Sequence, residues 1–378
     1  MSKSAPDASR LETVLSCLCA SIVAAGAVAF VLRRPEPRAC IPRLLAPTPA
    51  QETLDLQIAR AQERGRGRRA EGPTEIPWRG WKDVLLRAYR ESQEDRLLAL
   101  AASVVFYSIV ALFPAIAAGV SLYALFADAG TIAKHLSLLS NIMPADTLDI
   151  LRTEISRIAA KSDGKLTLGF AIGLVVALWS ANAGMKAIFD ALNVIYDEEE
   201  KRGFIKLNAV SLAFTFCAIA GALLAVSAVV VLPLVLAAFG LSSFDQPMVG
   251  LLRWPALFVL IILGLAVLYR FGPSRRRAKW RWLTVGSVVA AALWLAGSSL
   301  FSWYLGNFGN YNATYGALGA VVGLMMWMWV STIAVLVGAE LNSEIEHQTA
   351  RDSTVGPPKP IGVRGAIMAD TVGPAQAA

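Results

Sequence analysis

The chain has 378 residues, 56% of them hydrophobic and only 17% charged, with a formal net charge of +7. That balance excludes an ordinary soluble domain and makes the placement of charge more informative than its sum. Four cysteines without paired spacing exclude a disulfide framework, and two histidines far apart in sequence, His135 and His347, argue against a histidine metal centre.

Apolar runs lie at about 14–32, 97–126, 166–189, 208–240, 251–269, 282–305 and 316–339. Each approaches or exceeds the roughly 20 residues a helix needs to cross a bilayer. The expected fold is therefore all-α: a polytopic transmembrane helix bundle, with a six-helix core plus one N-terminal transmembrane helix. The first run, within 1–32, reads as an uncleaved anchor. Lys3, Arg10 and the small residues Ala27 and Ala29 also fit a signal peptide, but its cleavage would strand an Arg-rich segment outside. Residues 33–80 are rich in Pro, Gly and Arg and read as a flexible basic linker, its Arg64, Arg66, Arg68 and Arg69 held near anionic lipid, with RNA binding as the alternative. The core domain is expected over 81–348. The 208–240 run is long enough to need tilt or a kink at Pro233, and Pro114 and Pro255 mark kinks in two other spans. Between the second and third runs, Leu148, Leu151, Ile155 and Ile158 follow 3-4-3 spacing and predict an external amphipathic helix near 144–161. The tail, 349–378, carries Pro357, Pro358 and Pro360 and reads as disordered.

Orientation follows the basic residues. Arg270, Arg275, Arg276, Arg277, Lys279 and Arg281 crowd one short loop, which is expected in the cytoplasm. Alternation puts 197–206 and 33–96 on that side and the weakly charged 242–250 and 307–315 outside, leaving the C-terminus cytoplasmic.

This topology gathers polar residues at one depth: Asp95 and Arg96, then Asn182, Lys186 and Asp190, then Lys206 and Asn208, and finally Glu340 and Asn342. Ionisable groups at a membrane boundary are costly unless paired or facing water. Lys186 and Asp190, four apart, can pair on one helical face. Glu340 needs a partner from another span, with Arg96 and Lys186 the candidates. Helix-end anchoring is the bland account of these residues, and a polar vestibule for a substrate the sharper one. On the other side Asn307, Asn310, Tyr311, Asn312, Thr314 and Tyr315 could bind a polar head group or close an interfacial turn. Gly169 with Gly173, and Gly319 with Gly323, have the spacing that lets membrane helices approach closely. No nucleophile elbow, phosphate loop, catalytic carboxylate pair or metal cluster is present as a motif, so no catalytic residue, metal or cofactor is expected.

Several ordered motifs resemble one known family. They are the stretch from Ala101 to Pro114, Leu178-Trp-Ser-Ala-Asn182 leading to Asn193, Arg202-Gly-Phe-Ile-Lys206, Arg281-Trp-Leu-Thr284, Tyr311-Asn-Ala-Thr-Tyr-Gly-Ala-Leu-Gly319 and Gly338-Ala-Glu-Leu-Asn342. Together they are similar to the YihY/virulence factor BrkB family of bacterial inner-membrane proteins, which also carries a ribonuclease BN-like label. The resemblance covers about 80–348 and implies six spanning helices with both ends of the core in the cytoplasm. It implies an envelope role, commonly supposed to be transport or lipid handling. The expected function is movement of a small or amphiphilic molecule across the membrane, along a path through Glu340, Asn342, Lys186, Asn182, Asp190 and Arg96 inside and Tyr311, Asn312 and Tyr315 outside. The expected partners are membrane lipids and an unknown substrate, with no nucleic acid and with a homo-oligomer left open. A non-catalytic envelope scaffold is the alternative, and a membrane-tethered ribonuclease a distant third.

Overall fold

The computed structural model describes residues 54–126, 165–226, 246–308 and 317–376. The N-terminal anchor, the 33–53 part of the linker, the amphipathic helix near 144–161 and the Pro233 kink lie outside the described residues. So do Asn310, Tyr311, Asn312, Thr314 and Tyr315. The described residues belong to one compact unit, Thr53–Ala378.

Among the described residues two shorter helices come first: α1 (Leu54–Ala61) and, after a 3-10 turn at Pro73–Glu75, α2 (Trp78–Glu94). Six long helices follow among the described residues: α3 (Leu97–Phe126), α4 (Lys165–Ile195), α5 (Phe204–Val226), α6 (Gln246–Phe271), α7 (Thr284–Phe308) and α8 (Ala317–Gln348). A four-residue helix, α9 (Ile367–Asp370), sits in the tail. Over its described residues each of the six core runs read from the sequence thus falls largely on one long helix, and no strand occurs among the described residues. Runs of Ala, Leu, Val and Ile favour this outcome because, in lipid, a helix satisfies its backbone hydrogen bonds within itself. Pro255 lies inside α6 without ending it.

α2 is amphipathic. Gly80, Asp83, Val84 and Arg87 recur at three- and four-residue spacing and are buried, while Trp78 and Tyr89 are exposed. The helix ends at Asp95, Arg96 takes a positive φ of 53°, and α3 departs from α2 at 58°. An amphipathic helix with exposed aromatics, meeting an apolar one at an angle, suits a membrane surface. Stretches of α5, α7 and α8, at Phe204–Ala222, Thr284–Asn307 and Val321–Gln348, are long and apolar enough to cross a bilayer. Their outward faces are oily: Phe106 on α3, Leu224 on α5 and Leu300 on α7 are 62%, 62% and 64% exposed. In water such faces would mark docking sites; against acyl chains they are ordinary.

α8 is the central element. It packs on α7 most extensively and also on α2, α3 and α4, while α3 packs on α4, α5 on α4 and α6 on α7. Leu192, Tyr196, Tyr269, Leu283, Ala290, Leu336 and Ala339 form the main buried cluster. The α7–α8 crossing is made by Gly286 and Gly338: a Cβ on Gly286 would strike the Gly338 carbonyl, and one on Gly338 would strike Ala290 and the Gly286 carbonyl. Gly323, by contrast, has open space where a Cβ would stand, so its spacing from Gly319 does not mark a close crossing there.

The tail corrects the expectation of disorder. Thr349, Ser353, Thr354, Met368, Ala369 and Val372 are buried. The tail pairs back on the 271–283 loop through Lys279 N–H to the Ser353 carbonyl and Val355 N–H to the Arg277 carbonyl. The Asp370 carboxylate accepts the N–H groups of Gly362, Arg364 and Gly365, with Gly362 and Gly365 at φ of 92° and 76°. Gly and Pro there form turns satisfied by local side chains, which composition alone reads as looseness. The 54–80 part of the linker is likewise built in. Arg68 is buried and donates to the Gly373 carbonyl at 2.7 Å and to Glu63 at 2.8 Å, and Arg66 pairs with Asp83 at 2.6 Å. These two arginines serve the fold and are not a free polybasic patch.

Candidate functional site

The connections rich in Arg and Lys, 54–96, 196–206, 271–283 and 348–376, meet at one end of the helices, here called the basic end. Several buried charges there are paired. Arg87 of α2 binds the Glu344 carboxylate and donates to Gln348 Oε1 at 2.8 Å, with Arg87 and Glu344 side chains 3% and 1% exposed. His347 adds a contact to Glu344 at 3.6 Å. Arg275 forks onto both oxygens of Glu346 at 3.0 and 2.7 Å, and its guanidinium lies 4.0 Å from the Tyr196 ring centroid. Burial alone would lower the Arg275 guanidinium, but Glu346 more than reverses this and raises it. Further out, burial works against the Glu200 carboxylate, yet Arg202 at 2.6 Å holds it below its usual range.

Glu340 is the exception. It lies one helical turn before Glu344 on α8, is 1% exposed, and neither carboxylate oxygen has a hydrogen-bond partner. The expected cation does not reach it. Arg96 is exposed at the α2–α3 bend, and Lys186 instead donates to Asn208 Oδ1 at 2.6 Å. Apart from its burial, what acts on Glu340 is more negative charge: Asp95, Glu344, Glu91 and Asp197. The helix order brings the C-terminal end of α2 and the residues after α4 against α8, and linear sequence does not reveal that order.

Asn182, Lys186 and Asn208 do come together. Asn182 Nδ2 donates to Asn208 Oδ1 at 3.1 Å, sharing that acceptor with Lys186, whose ammonium stands 5.6 Å from the Trp179 ring centroid. The Asn182 oxygen is buried without a partner. Asp190, exposed one turn along α4, acts on Lys186 electrostatically. Asn342 is structural. Its Oδ1 accepts the Gly286 N–H at 2.8 Å and its Nδ2 donates to the Leu283 carbonyl at 3.2 Å, fastening α7 to α8 at their glycine crossing.

Further into the apolar zone, a cavity of about 280 Å³ opens between α4, α6, α7 and α8. Ile188, Leu265, Leu268, Trp294, Val335 and Leu336 are among its walls, with Ser331 and Thr332 as polar points. Trp294 Nε1–H is already satisfied by Ser331 Oγ at 3.0 Å. Leu336 is one turn of α8 from Glu340, so the apolar cavity and the unpaired carboxyl are stacked along a single helix. Among the described residues no group of three or more His, Cys, Asp or Glu is arranged to hold a metal ion.

Residues 88–361 match the virulence factor BrkB family. The chain belongs to that family. This BrkB-family chain is 30% identical over 212 residues to the ribonuclease-like protein YfkH of Bacillus subtilis, covering 55% of this chain and 76% of the relative. It is 30% identical over 281 residues to a UPF0761 membrane protein of Alkalilimnicola ehrlichii, covering 72% of this chain and 61% of that one. A UPF0761 membrane protein of Cronobacter sakazakii is 31% identical over 253 residues, 66% of this chain and 83% of the relative. No solved structure matches. The chain is a membrane protein of the BrkB/UPF0761 family, and α1, the Arg68 loop and the tail beyond 361 lie outside the matched region.

Sequence reading missed Arg87, Arg275, Glu344, Glu346 and Tyr196. A signal for the acidic members was present: Glu340 and Glu344 are four apart and therefore share a face, and Glu346 ends the same helix opposite a loop crowded with arginine.

Proposed function

We propose that this protein moves a small or amphiphilic molecule across a bacterial inner membrane, with the basic end and the C-terminus facing the cytoplasm. The observation that carries the reading is the apolar cavity of about 280 Å³ between four helices, with the unpartnered Glu340 one turn away. Ligand sites are concave, mostly apolar and fitted with few polar groups, and an ionisable residue inside a membrane bundle is a functional candidate by default. The apolar part of a substrate fits the cavity, and its polar part the level of Glu340, Asn182 and Lys186. Asn342 and Arg96 contribute through helix packing and the α2–α3 bend. Tyr311, Asn312 and Tyr315 are the outer candidates. Membrane lipid is the expected neighbour, and neither nucleic acid nor catalysis belongs to this reading.

The test is mass spectrometry of molecules co-purifying with the protein in nanodiscs, wild type beside Glu340→Ala and Leu265→Trp, the second narrowing the cavity. A defined lipid or solute enriched with wild type and lost from both stably folded variants is expected. Only bulk phospholipid in all three samples would reject transport. It would favour an envelope scaffold, a reading that the buried Arg87–Glu344 and Arg275–Glu346 pairs support on their own. The ribonuclease-like name of one relative predicts RNA cleavage by the highly purified chain, and none is expected.

A further inference from the structure

We infer that Glu340 is a proton-binding site, loaded when the basic end is closed as seen here and emptied when the helices around it part. The inference rests on the transport reading for its role, though not for its existence. Three observations carry it. The side chain is 1% exposed, so water does not solvate it. Neither oxygen accepts a hydrogen bond. An ionised carboxylate in that condition loses the hydration that made ionisation favourable and gains nothing in exchange. Taking up one proton removes one buried charge and closes that deficit.

The third observation is what faces it. From the end of α2 come Glu91 and Asp95, from the residues after α4 Asp197, and from α8 itself Glu344. Tyr196, buried beyond the end of α4, is within electrostatic reach. α3 has no charged residue in its first turns, and α7 meets α8 at the crossing through Gly286 and Ala290, with the Tyr269 hydroxyl of α6 beside Gly338. Two nearby guanidinium groups are committed elsewhere, Arg87 to Glu344 and Arg275 to Glu346. Among the described residues the charges acting most strongly on Glu340 are negative, which favours the neutral form of its carboxyl, the form that one bound proton provides. A metal ion is the other answer in principle, but no three acidic, His or Cys side chains converge there among the described residues.

The device this describes is a coupled gate. Elements outside the family-matched region, α1, the Arg68 loop and the tail after 361, pack over the basic end through Arg68 to the Gly373 carbonyl and Arg87 to the Pro374 carbonyl. Parting them admits water to Glu340, and a hydrated carboxyl releases its proton. Substrate movement is then linked to proton movement at one residue.

Infrared difference spectroscopy on the full chain in nanodiscs, titrated with pH, tests this with wild type and Glu340→Gln. A carboxylic-acid C=O band present at neutral pH in wild type, diminishing as pH rises and missing from a folded Glu340→Gln, is the expected result. Absence of any such Glu340→Gln-sensitive band across the stable pH range would overturn the inference, whatever the transport assays give. The band with no detectable substrate in the nanodiscs would uphold the proton site while removing the transport reading, so the two fail separately. Should Glu340→Gln not fold, Glu340→Asp answers the same question by a shift in band position instead of its loss.

Discussion

Two acidic positions on α8, a single turn apart, have opposite surroundings. Glu344 is clasped by Arg87 and touched by His347, and two residues on Glu346 is forked by Arg275, all of them buried. Glu340 has the same burial, but neither of its oxygens has a hydrogen-bond partner, and the charges acting most strongly on it are carboxylates. A buried pair costs desolvation and recovers it through attraction and hydrogen bonds, so the basic end is held together by charge. A buried single carboxyl recovers nothing, so a chain that needed only stability at that position would have an apolar residue there. The contrast separates residues that hold the helices from one that does something else.

Breaking the paired side should have the largest effect. Arg87→Ala or Arg275→Ala leaves Glu344 or Glu346 buried without its cation, which costs about 3–5 kcal/mol. Denaturant unfolding in detergent micelles should show this loss, and variants with unchanged stability would mean that the pairs are open to water. Next comes the crossing beside Glu340. Gly338→Ala or Gly286→Ala forces α7 and α8 apart where backbone meets backbone and Asn342 ties them, an overpacking penalty of about 1–3 kcal/mol. Gly323→Ala, in open space, should change nothing measurable, and equal effects at both places would show that the crossing is elsewhere.

The smallest effect concerns the tail and has a defined pH sign. Burial works against the Asp352 carboxylate, but the hydroxyl and N–H of Thr354 and the N–H of Lys359 hold its pKa below the usual range. A lowered native pKa contributes stability that is fully present above the unfolded value of roughly 4 and is lost as pH falls through the native one. Hydrogen exchange of 352–359 should therefore quicken selectively in that acid window. Asp352→Asn should bring about 1 kcal/mol of the same loosening to neutral pH. Exchange independent of pH down to global unfolding would show that the tail is held by other contacts.

The sequence made the six core helices legible because each depends on local composition: an apolar run of sufficient length has one low-energy form in lipid. It also made Glu340 legible, as a carboxylate closing an apolar run. The environment of Glu340 was not legible. Arg96 and Lys186 were reasonable partners by depth, but depth says nothing about which helices are neighbours, and α8 faces Glu91, Asp95 and Asp197 instead. Gly286 and Gly338 carry no paired glycine spacing within their own helices, because the close approach arises from the crossing of two helices. In the tail and the Arg64–Arg69 loop, Pro and Gly were read as looseness. Their turns are closed by Asp352, Asp370 and Arg68, residues whose bonding is set by the folded neighbourhood.

The most direct test of the contrast is to place Glu340→Gln beside Glu344→Gln in the same membrane mimic and measure unfolding together with the co-purified ligand. Glu344→Gln should lose stability and Glu340→Gln should retain or gain it while losing the ligand. If Glu340→Gln unfolds as readily as Glu344→Gln, Glu340 is one more structural charge and the proposed path does not pass through it.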